Sequence, residues 1–164
     1  MADIKSGTPT LYLRDEELRK GIELLYFAYR DHNGVPDEIL AEYGFGRAHH
    51  RVLHFVARSP GLAVSELLGV LRITKQSLSR VLKELVEKGY VRQETGARDR
   101  RQRPLYLTDK GSELERRLSA VQRERMARAY REAGAEAVAG FWRVLFGLID
   151  ADGRDAIKTF IEKP

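Results

Sequence analysis

Residues 74–90 read TKQSLSRVLKELVEKGY and predict a helix with one apolar face and one polar, basic face. Thr74 can cap the helix start, because its side-chain oxygen can accept a hydrogen bond from a first-turn amide. The apolar side chains recur at helical spacing: Leu78, Val81, Leu82 and Leu85. Gly89 can end the helix, since glycine tolerates the left-handed conformation. Taken alone, the pattern is typical of an ordinary surface helix, although such a helix also fits a DNA major groove.

The net charge of the chain is concentrated around this helix. Residues 72–103 hold ten Lys or Arg and four Asp or Glu, a local charge of +6, whereas the other residues hold 19 and 20, a charge of −1. A concentrated basic segment beside a polar helix face is the electrostatic pattern of a protein that binds a phosphate backbone. The alternative, a solvated basic face with no partner, explains the concentration less well.

The flanking segments predict a helix-turn-helix followed by a β-hairpin. Ser65 can cap a short helix over 66–71, and Arg72-Ile73 can turn the chain into the Thr74 helix. Residues 90–95 and 104–107 predict two strands around the basic loop 96–103, and 62–64 predict a further short strand.

This hairpin can serve as a wing that places arginines over phosphates or in a minor groove. Asp99 can hold Arg101 in a fixed pose by a two-pronged hydrogen bond, although it can equally be a turn acid that screens its basic neighbours.

Helices are expected on both sides of this segment. We predict a first helix over about 15–30, a stop at 32–34, a short helix over 36–43 and a helix over about 46–58. Thr108 is expected to cap a long charged helix that ends near Arg131, before Gly134, an apolar helix and a last short helix. The first helix is apolar on more than one side, which favours a second subunit as a partner, although burial within a monomer would give the same pattern.

Composition excludes several other classes of protein. The chain has no cysteine, which excludes disulfides and thiolate zinc sites and is compatible with the cytoplasm. No apolar run approaches the roughly 20 residues that span a bilayer, and the first residues lack a signal-peptide pattern. No nucleophile–base pair, glycine-rich phosphate loop or carboxylate pair stands out, so we predict neither catalysis nor a cofactor.

Residues from about 45 to 111 resemble the MarR family of winged helix-turn-helix transcription regulators. The resemblance is carried by SELLGVLRITKQSLSRVLKELVEKGYV, by the wing GARDRRQRPLYL and by LTDKG at the start of the long helix. The stretch RAHHRVLHFVARSPGLAVSELL is similar to a subgroup linked to regulation of photosynthetic electron transport. The peroxide-sensing mechanism of some members needs a cysteine, which this chain lacks.

The resemblance implies a mainly α fold with a small β-hairpin wing, in which a winged helix-turn-helix lobe is joined to a helical dimerisation lobe. It implies an N-terminal arm and dimerisation helix over 1–44, a DNA-binding lobe over 45–108 and C-terminal helices over 109–164. Members are homodimers that bind pseudo-palindromic duplex DNA, and many release it when a small anionic or aromatic ligand enters the crevice between the lobes. We therefore expect a sequence-specific DNA-binding transcription regulator that acts as a repressor.

The resemblance also implies roles for individual residues. The DNA-binding residues are expected to be Thr74, Lys75, Gln76, Ser77, Ser79, Arg80, Lys83, Arg98, Asp99, Arg100, Arg101 and Arg103. We place the dimer contacts at Leu18, Ile22, Leu25, Tyr29, Phe141, Trp142, Leu145 and Phe160.

Tyr26, His49, His50 and His54 are the candidate effector residues. Helical spacing places His50 and His54 on the polar face of their helix and His49 at the edge of its apolar stripe. Two histidines four residues apart can share a metal or contact haem, but histidines that simply line a polar cleft are the more common case. A protein-assembly module built on the same fold is the other alternative.

Overall fold

The computed structural model describes residues 11–95 and 102–164. Within them the chain is mainly helical with one small antiparallel sheet, as predicted. The helices are α1 (Asp15–Glu42), α2 (Arg47–Arg58), α3 (Val64–Leu71), α4 (Lys75–Glu87), α5 (Asp109–Ala133), α6 (Ala135–Leu148) and α7 (Arg154–Glu162). The strands are β1 (Leu62–Ala63), β2 (Val91–Gln93) and β3 (Pro104–Leu107), and short 3-10 turns cover Leu11–Leu13 and Ala151–Gly153.

The first helix is longer than its sequence indicates. The predicted stop at 32–34 is wrong, because α1 continues through Gly34 and Pro36 to Glu42. Proline cannot donate a hydrogen bond within the helix, but Pro36, Ile39 and Leu40 are buried in the core, and this burial outweighs the local preference. Gly44, with a φ of +70°, then allows the chain to leave the helix, as predicted.

The helix-turn-helix forms with one difference in capping. Helix α3 begins at Val64 rather than Glu66, so the predicted Ser65 cap is wrong. The Glu66 side chain instead accepts a hydrogen bond from the Ala63 amide at 2.8 Å. Arg72 takes a left-handed conformation with a φ of +48°, and this residue turns the chain between α3 and α4.

The sheet has the strand order β1-β3-β2. Leu62 pairs with Leu105, and Val91 pairs with Leu107 in antiparallel register. The central strand β3 therefore joins the start of α3 to the segment that follows α4. All three predicted strands are confirmed, although β1 and β2 are shorter than predicted.

One apolar core holds these elements together. Leu40, Leu53, Leu67, Leu85, Leu105 and Leu118 are fully buried, and they come from α1, α2, α3, α4, β3 and α5. Burial of a leucine side chain contributes roughly 1.5–3 kcal/mol, so the apolar stripe of α4 is held firmly against this scaffold. The core includes Leu78, Val81, Leu82 and Leu85, the four residues that the sequence assigns to that stripe.

Contacts between Cα atoms divide the chain into two compact units, one up to Gln122 and one from Arg123 onward. In the second unit, Tyr130 accepts a hydrogen bond from the Trp142 indole at 2.8 Å, and Arg154 donates to the carbonyl of Ile149 at 2.6 Å. No helix among the described residues is long and apolar enough to cross a membrane.

Candidate nucleic-acid interface

Helix α4 presents the polar face that the sequence predicts. Its exposed residues there are Lys75, Gln76, Ser79, Arg80 and Lys83. Their side chains combine positive charge with hydrogen-bond donors, which is the chemistry that contacts phosphates and base edges.

Thr74 and Ser77 serve the start of this helix. The Thr74 hydroxyl oxygen accepts a hydrogen bond from the Ser77 amide at 3.1 Å and donates to the Ser77 hydroxyl at 2.8 Å. The predicted cap is therefore present. Both side chains are already hydrogen-bonded to each other, so they differ from the other predicted contact residues of α4.

An open groove of about 700 Å³ runs between α3, α4 and the base of the wing. Lys75, Ser79 and Lys83 line it from α4, and Arg103 lines it from the segment before β3. The fold thus brings two distant parts of the basic segment to one concave surface. Gln76 and Arg80 are exposed on α4 but are not among the residues that line the groove.

The predicted wing contacts lie mostly outside the part of the chain that the structure describes. Arg98, Asp99, Arg100 and Arg101 lie outside the described residues, while Arg103 is exposed. At the base of the wing, Arg92 forms an ion pair with Glu94, and its guanidinium lies 4.5 Å from the centre of the Tyr106 ring.

The C-terminal end of α4 is tied to the start of α5. The Thr108 hydroxyl donates to the carbonyl of Gly89 at 2.6 Å, and the Lys110 ammonium donates to the carbonyl of Lys88 at 3.0 Å. The Thr108 oxygen also accepts from the Gly111 amide at 3.0 Å, which confirms its predicted cap. The sequence indicated the cap, but it gave no sign that the same side chain binds the end of α4.

A second tie joins α4 to α2. His49 Nε2 lies 2.6 Å from Glu84 Oε2, and Lys88 lies 3.3 Å from the other oxygen of the same carboxylate. Hydrogen bonds from His49 and then from Lys88 lower the pKa of Glu84. Sequence reasoning missed Glu84, because an acid in a basic segment carries no motif.

The three histidines of α2 have different surroundings. His50 is buried, so the predicted polar face shared by His50 and His54 is wrong. Helix α2 packs against α1, α3, α4 and β3, which buries more of its circumference than one apolar stripe. His54 is half-exposed, and its Nδ1 lies 3.6 Å from Glu115 Oε1. Burial lowers the pKa of His50, and the neighbouring His54 lowers it further.

The candidate effector residues therefore contact different neighbours. His49 stacks on Phe45, with the ring centres 4.7 Å apart, whereas Tyr26 is exposed and lies edge-on to Phe27 at 5.3 Å. Among the described residues, no group of three or more His, Cys, Asp or Glu side chains could hold a metal ion.

The N-terminal half of α1 carries many exposed apolar side chains. Leu18, Ile22, Leu25, Tyr26, Phe27 and Tyr29 are each between 46% and 70% exposed. Tyr29 accepts a hydrogen bond from Arg51 at 2.8 Å, which ties the end of this surface to α2. In the second unit, Phe141 and Trp142 are exposed, while Leu145 and Phe160 are half-buried. Large exposed apolar patches are common where one protein binds another.

Comparison with known proteins agrees with this description. A model described as the MarR family matches residues 43–102. The HTH-type transcriptional regulator PetP of Rhodobacter capsulatus is 54% identical over 144 residues, which cover 88% of this chain and 87% of that protein.

Solved structures have the same architecture. A MarR family transcription regulator superposes with a TM-score of 0.70 over 90% of this chain and 95% of its own, at 17% identity. The Mycobacterium tuberculosis MarR family protein Rv2887, in complex with p-aminosalicylic acid, is 28% identical, with a TM-score of 0.55 over 77% of this chain and 95% of its own. Because the chain is 54% identical to the Rhodobacter capsulatus regulator over 88% of its own length, it belongs to the MarR family of transcriptional regulators.

Proposed function

We propose that the protein is a homodimeric repressor that binds pseudo-palindromic duplex DNA through α4 and the wing. The observation that carries the proposal is the groove in which Lys75, Ser79 and Lys83 meet Arg103, within a segment of charge +6. Phosphate contacts by these cations would supply affinity that falls with salt, because bound counterions are released. Lys75, Gln76, Ser79 and Arg80 would read base edges, and Arg101 of the wing would enter the minor groove, oriented by Asp99.

The division of the chain follows from this proposal. Residues 45–108 would form the DNA-binding lobe, and 1–44 together with 109–164 would supply the dimer contacts. The exposed apolar surface on α1 supports that role, because Ile22 is 70% exposed in the single chain. A helix that leaves such side chains in water is stabilised when a second copy covers them. The place of action of such a regulator is the cytoplasm.

The proposal includes release by a small anionic or aromatic ligand. The Mycobacterium tuberculosis relative was solved with p-aminosalicylic acid, an aromatic acid. Tyr26, His49, His50 and His54 are the residues that we assign to this response. The contact between His49 and Glu84 supports the inclusion of His49, since it connects α2 directly to the DNA-reading helix.

The test is a selection of duplexes from a randomised pool, followed by titration across a salt series. The expected result is enrichment of a sequence with two-fold symmetry, bound by a dimer, with an affinity that falls steeply as salt rises. A scrambled duplex of equal length is the control. Failure to enrich any sequence, together with salt-independent or absent binding, would overturn the proposal and favour a winged-helix module for protein assembly.

A further inference from the structure

The hydrogen bond between His49 and Glu84 joins α2 to the last turn of α4. The two atoms lie 2.6 Å apart, and the His49 side chain is 12% exposed while that of Glu84 is 36% exposed. Glu84 follows Lys83, which lines the groove, so the contact holds α4 beside the surface that would face DNA. The negative charge of Glu84 would repel DNA phosphates, so Glu84 would not contribute to DNA binding through a phosphate contact.

The imidazole ring of His49 is fixed before it reaches Glu84. The Gly46 amide donates to His49 Nδ1 at 3.1 Å, which makes Nδ1 an acceptor and leaves the proton on Nε2. The ring lies nearly parallel to that of Phe45, with an interplanar angle of 17°. The Lys88 ammonium lies 4.8 Å from the centre of the same Phe45 ring. Nε2–H is therefore a donor in a set position, aimed at Glu84.

The contact adds something that the apolar core does not supply. Leu78, Val81 and Leu85 hold α4 against the scaffold through burial, which is not directional. A hydrogen bond on one side of a helix is directional and resists rotation of the helix about its axis. A binding surface needs its side chains within about 0.5 Å and 10–20° of the productive geometry, so a small rotation of α4 matters.

We propose that His49 is a positioning residue for DNA recognition, which holds Glu84 and thereby sets the rotation of α4. This inference rests on the DNA-binding function proposed above. His49 and Glu84 need not touch DNA in this role. Loss of their contact should reduce the preference for the selected duplex over a scrambled one and leave salt-dependent binding to both duplexes.

Two replacements of Glu84 separate the hydrogen bond from the charge. Glu84→Gln keeps an oxygen acceptor for His49 Nε2–H, whereas Glu84→Met has a similar length and only a weak sulfur acceptor; both remove the same negative charge. The measurement is the ratio of the dissociation constants for scrambled and selected duplex. We expect Glu84→Gln to keep the wild-type ratio and Glu84→Met to lower it by roughly threefold to tenfold, the effect of one neutral hydrogen bond.

A double-mutant cycle completes the test. His49→Asn keeps an acceptor near the position of Nδ1 for the Gly46 amide but cannot reach Glu84, so it should lower the ratio as Glu84→Met does. The double variant should lose no more than either single variant, because the interaction is already absent. Thermal unfolding without DNA identifies any variant whose loss reflects instability. A long-range proton–nitrogen spectrum of the wild type should show Nε2 protonated and Nδ1 bare.

The outcomes are distinct. If the wild type is selective but Glu84→Gln and Glu84→Met give equal ratios, the positioning role of His49 is overturned and the proposed DNA-binding function still stands. A neutral His49 ring with its proton on Nδ1 would also overturn the positioning role, because Nε2 would then be an acceptor facing a carboxylate. A wild type that shows no selectivity would instead overturn the proposed function on which this inference rests.

Discussion

Gly111 lies directly against the carbonyl of Tyr90, and a Cβ atom at position 111 would sit 2.0 Å from that oxygen. No side chain fits in this space, so the start of α5 lies directly against the backbone of Tyr90, which follows α4. The Thr108 amide donates to the same Tyr90 carbonyl at 3.1 Å, which holds the two segments together at this point.

We predict that Gly111→Ala lowers the free energy of unfolding by about 1–3 kcal/mol, because the backbones must separate to admit the methyl group. Urea denaturation followed by circular dichroism measures this change. Gly69→Ala is the matched control, since Gly69 lies in helix α3 with no atom within 4 Å of the added Cβ. The control should be stabilised by roughly 0.5–1 kcal/mol, and equal effects at the two positions would contradict the prediction.

We predict that Ile22→Glu makes the protein monomeric and weakens binding to the selected duplex by at least about tenfold, since a buried charge without a partner opposes association. Ile22 is 70% exposed in the single chain, so the helix itself should still form. Size-exclusion chromatography with light scattering gives the mass. Val70→Glu, at an exposed valine on α3, should remain dimeric. A dimer that survives Ile22→Glu would place the interface elsewhere.

We predict that stability falls as the pH falls below about 6.5, because His50 is a poorer base in the native state than in the unfolded chain. Burial lowers the pKa of His50, His54 and His32 lower it further, and Glu115 and Asp37 oppose them. Above the ordinary histidine pKa, His50 is neutral in both the native and the unfolded state, so its lowered pKa does not affect stability. Below it the unfolded chain takes up a proton first, and the free energy of unfolding decreases.

The measurement for His50 is urea denaturation at about pH 7.5 and pH 5.5 for the wild type and for His50→Met, which cannot titrate. The difference in stability between the two pH values should shrink in His50→Met. His54→Gln removes the neighbouring charge but not the burial of His50, so that variant should keep the larger part of the pH-dependent difference in stability. An unchanged difference in His50→Met would show that other groups cause the pH dependence.

We predict that Arg80→Ala weakens binding to the selected duplex by roughly 1–3 kcal/mol and relaxes the preference at one base position. Arg80 is exposed on α4, where a guanidinium can donate two hydrogen bonds to a guanine edge. Repeating the selection with the variant identifies the relaxed position. Binding of the original sequence with full affinity would exclude Arg80 from base recognition.

We predict that Arg101→Ala weakens binding to many sequences alike and lowers the slope of affinity against salt, because one cation fewer displaces counterions. The comparison with Arg80→Ala is the control, since the two arginines should differ in which quantity they change. An unaltered salt slope would argue against a wing contact at Arg101.

The sequence predicts the features that local chemistry determines. The cap at Thr74, the helix end at Gly89 and the strand at 104–107 all depend on side-chain or backbone preferences within a few residues. Prediction from the sequence fails where tertiary packing decides which residues are buried. Pro36 reads as a helix start but is buried inside α1, and His50 reads as polar surface but is buried.

The contacts of Glu84 and Thr108 were not predictable for a related reason. Each joins residues that are distant in sequence, 35 positions apart for His49 and Glu84 and 19 for Gly89 and Thr108. Periodicity describes which face of a helix is apolar, but it does not state which polar side chain on another helix lies opposite. The sequence therefore predicts which residues form the polar face of α4, whereas only the structure shows the contacts that orient this helix.

The continuity of α1 through Pro36 has a consequence for the geometry of an operator. A helix of 28 residues is about 42 Å long, and it carries the exposed apolar surface at one end and core residues at the other. A break near residue 33 would have placed a hinge between the proposed dimer contact and the DNA-reading part. Without that hinge, one continuous helix would run in the proposed dimer from the subunit contact to the core that holds α4. Such a protein should tolerate little variation in the spacing of its half-sites, and inserting one base pair between them would leave one half-site out of reach.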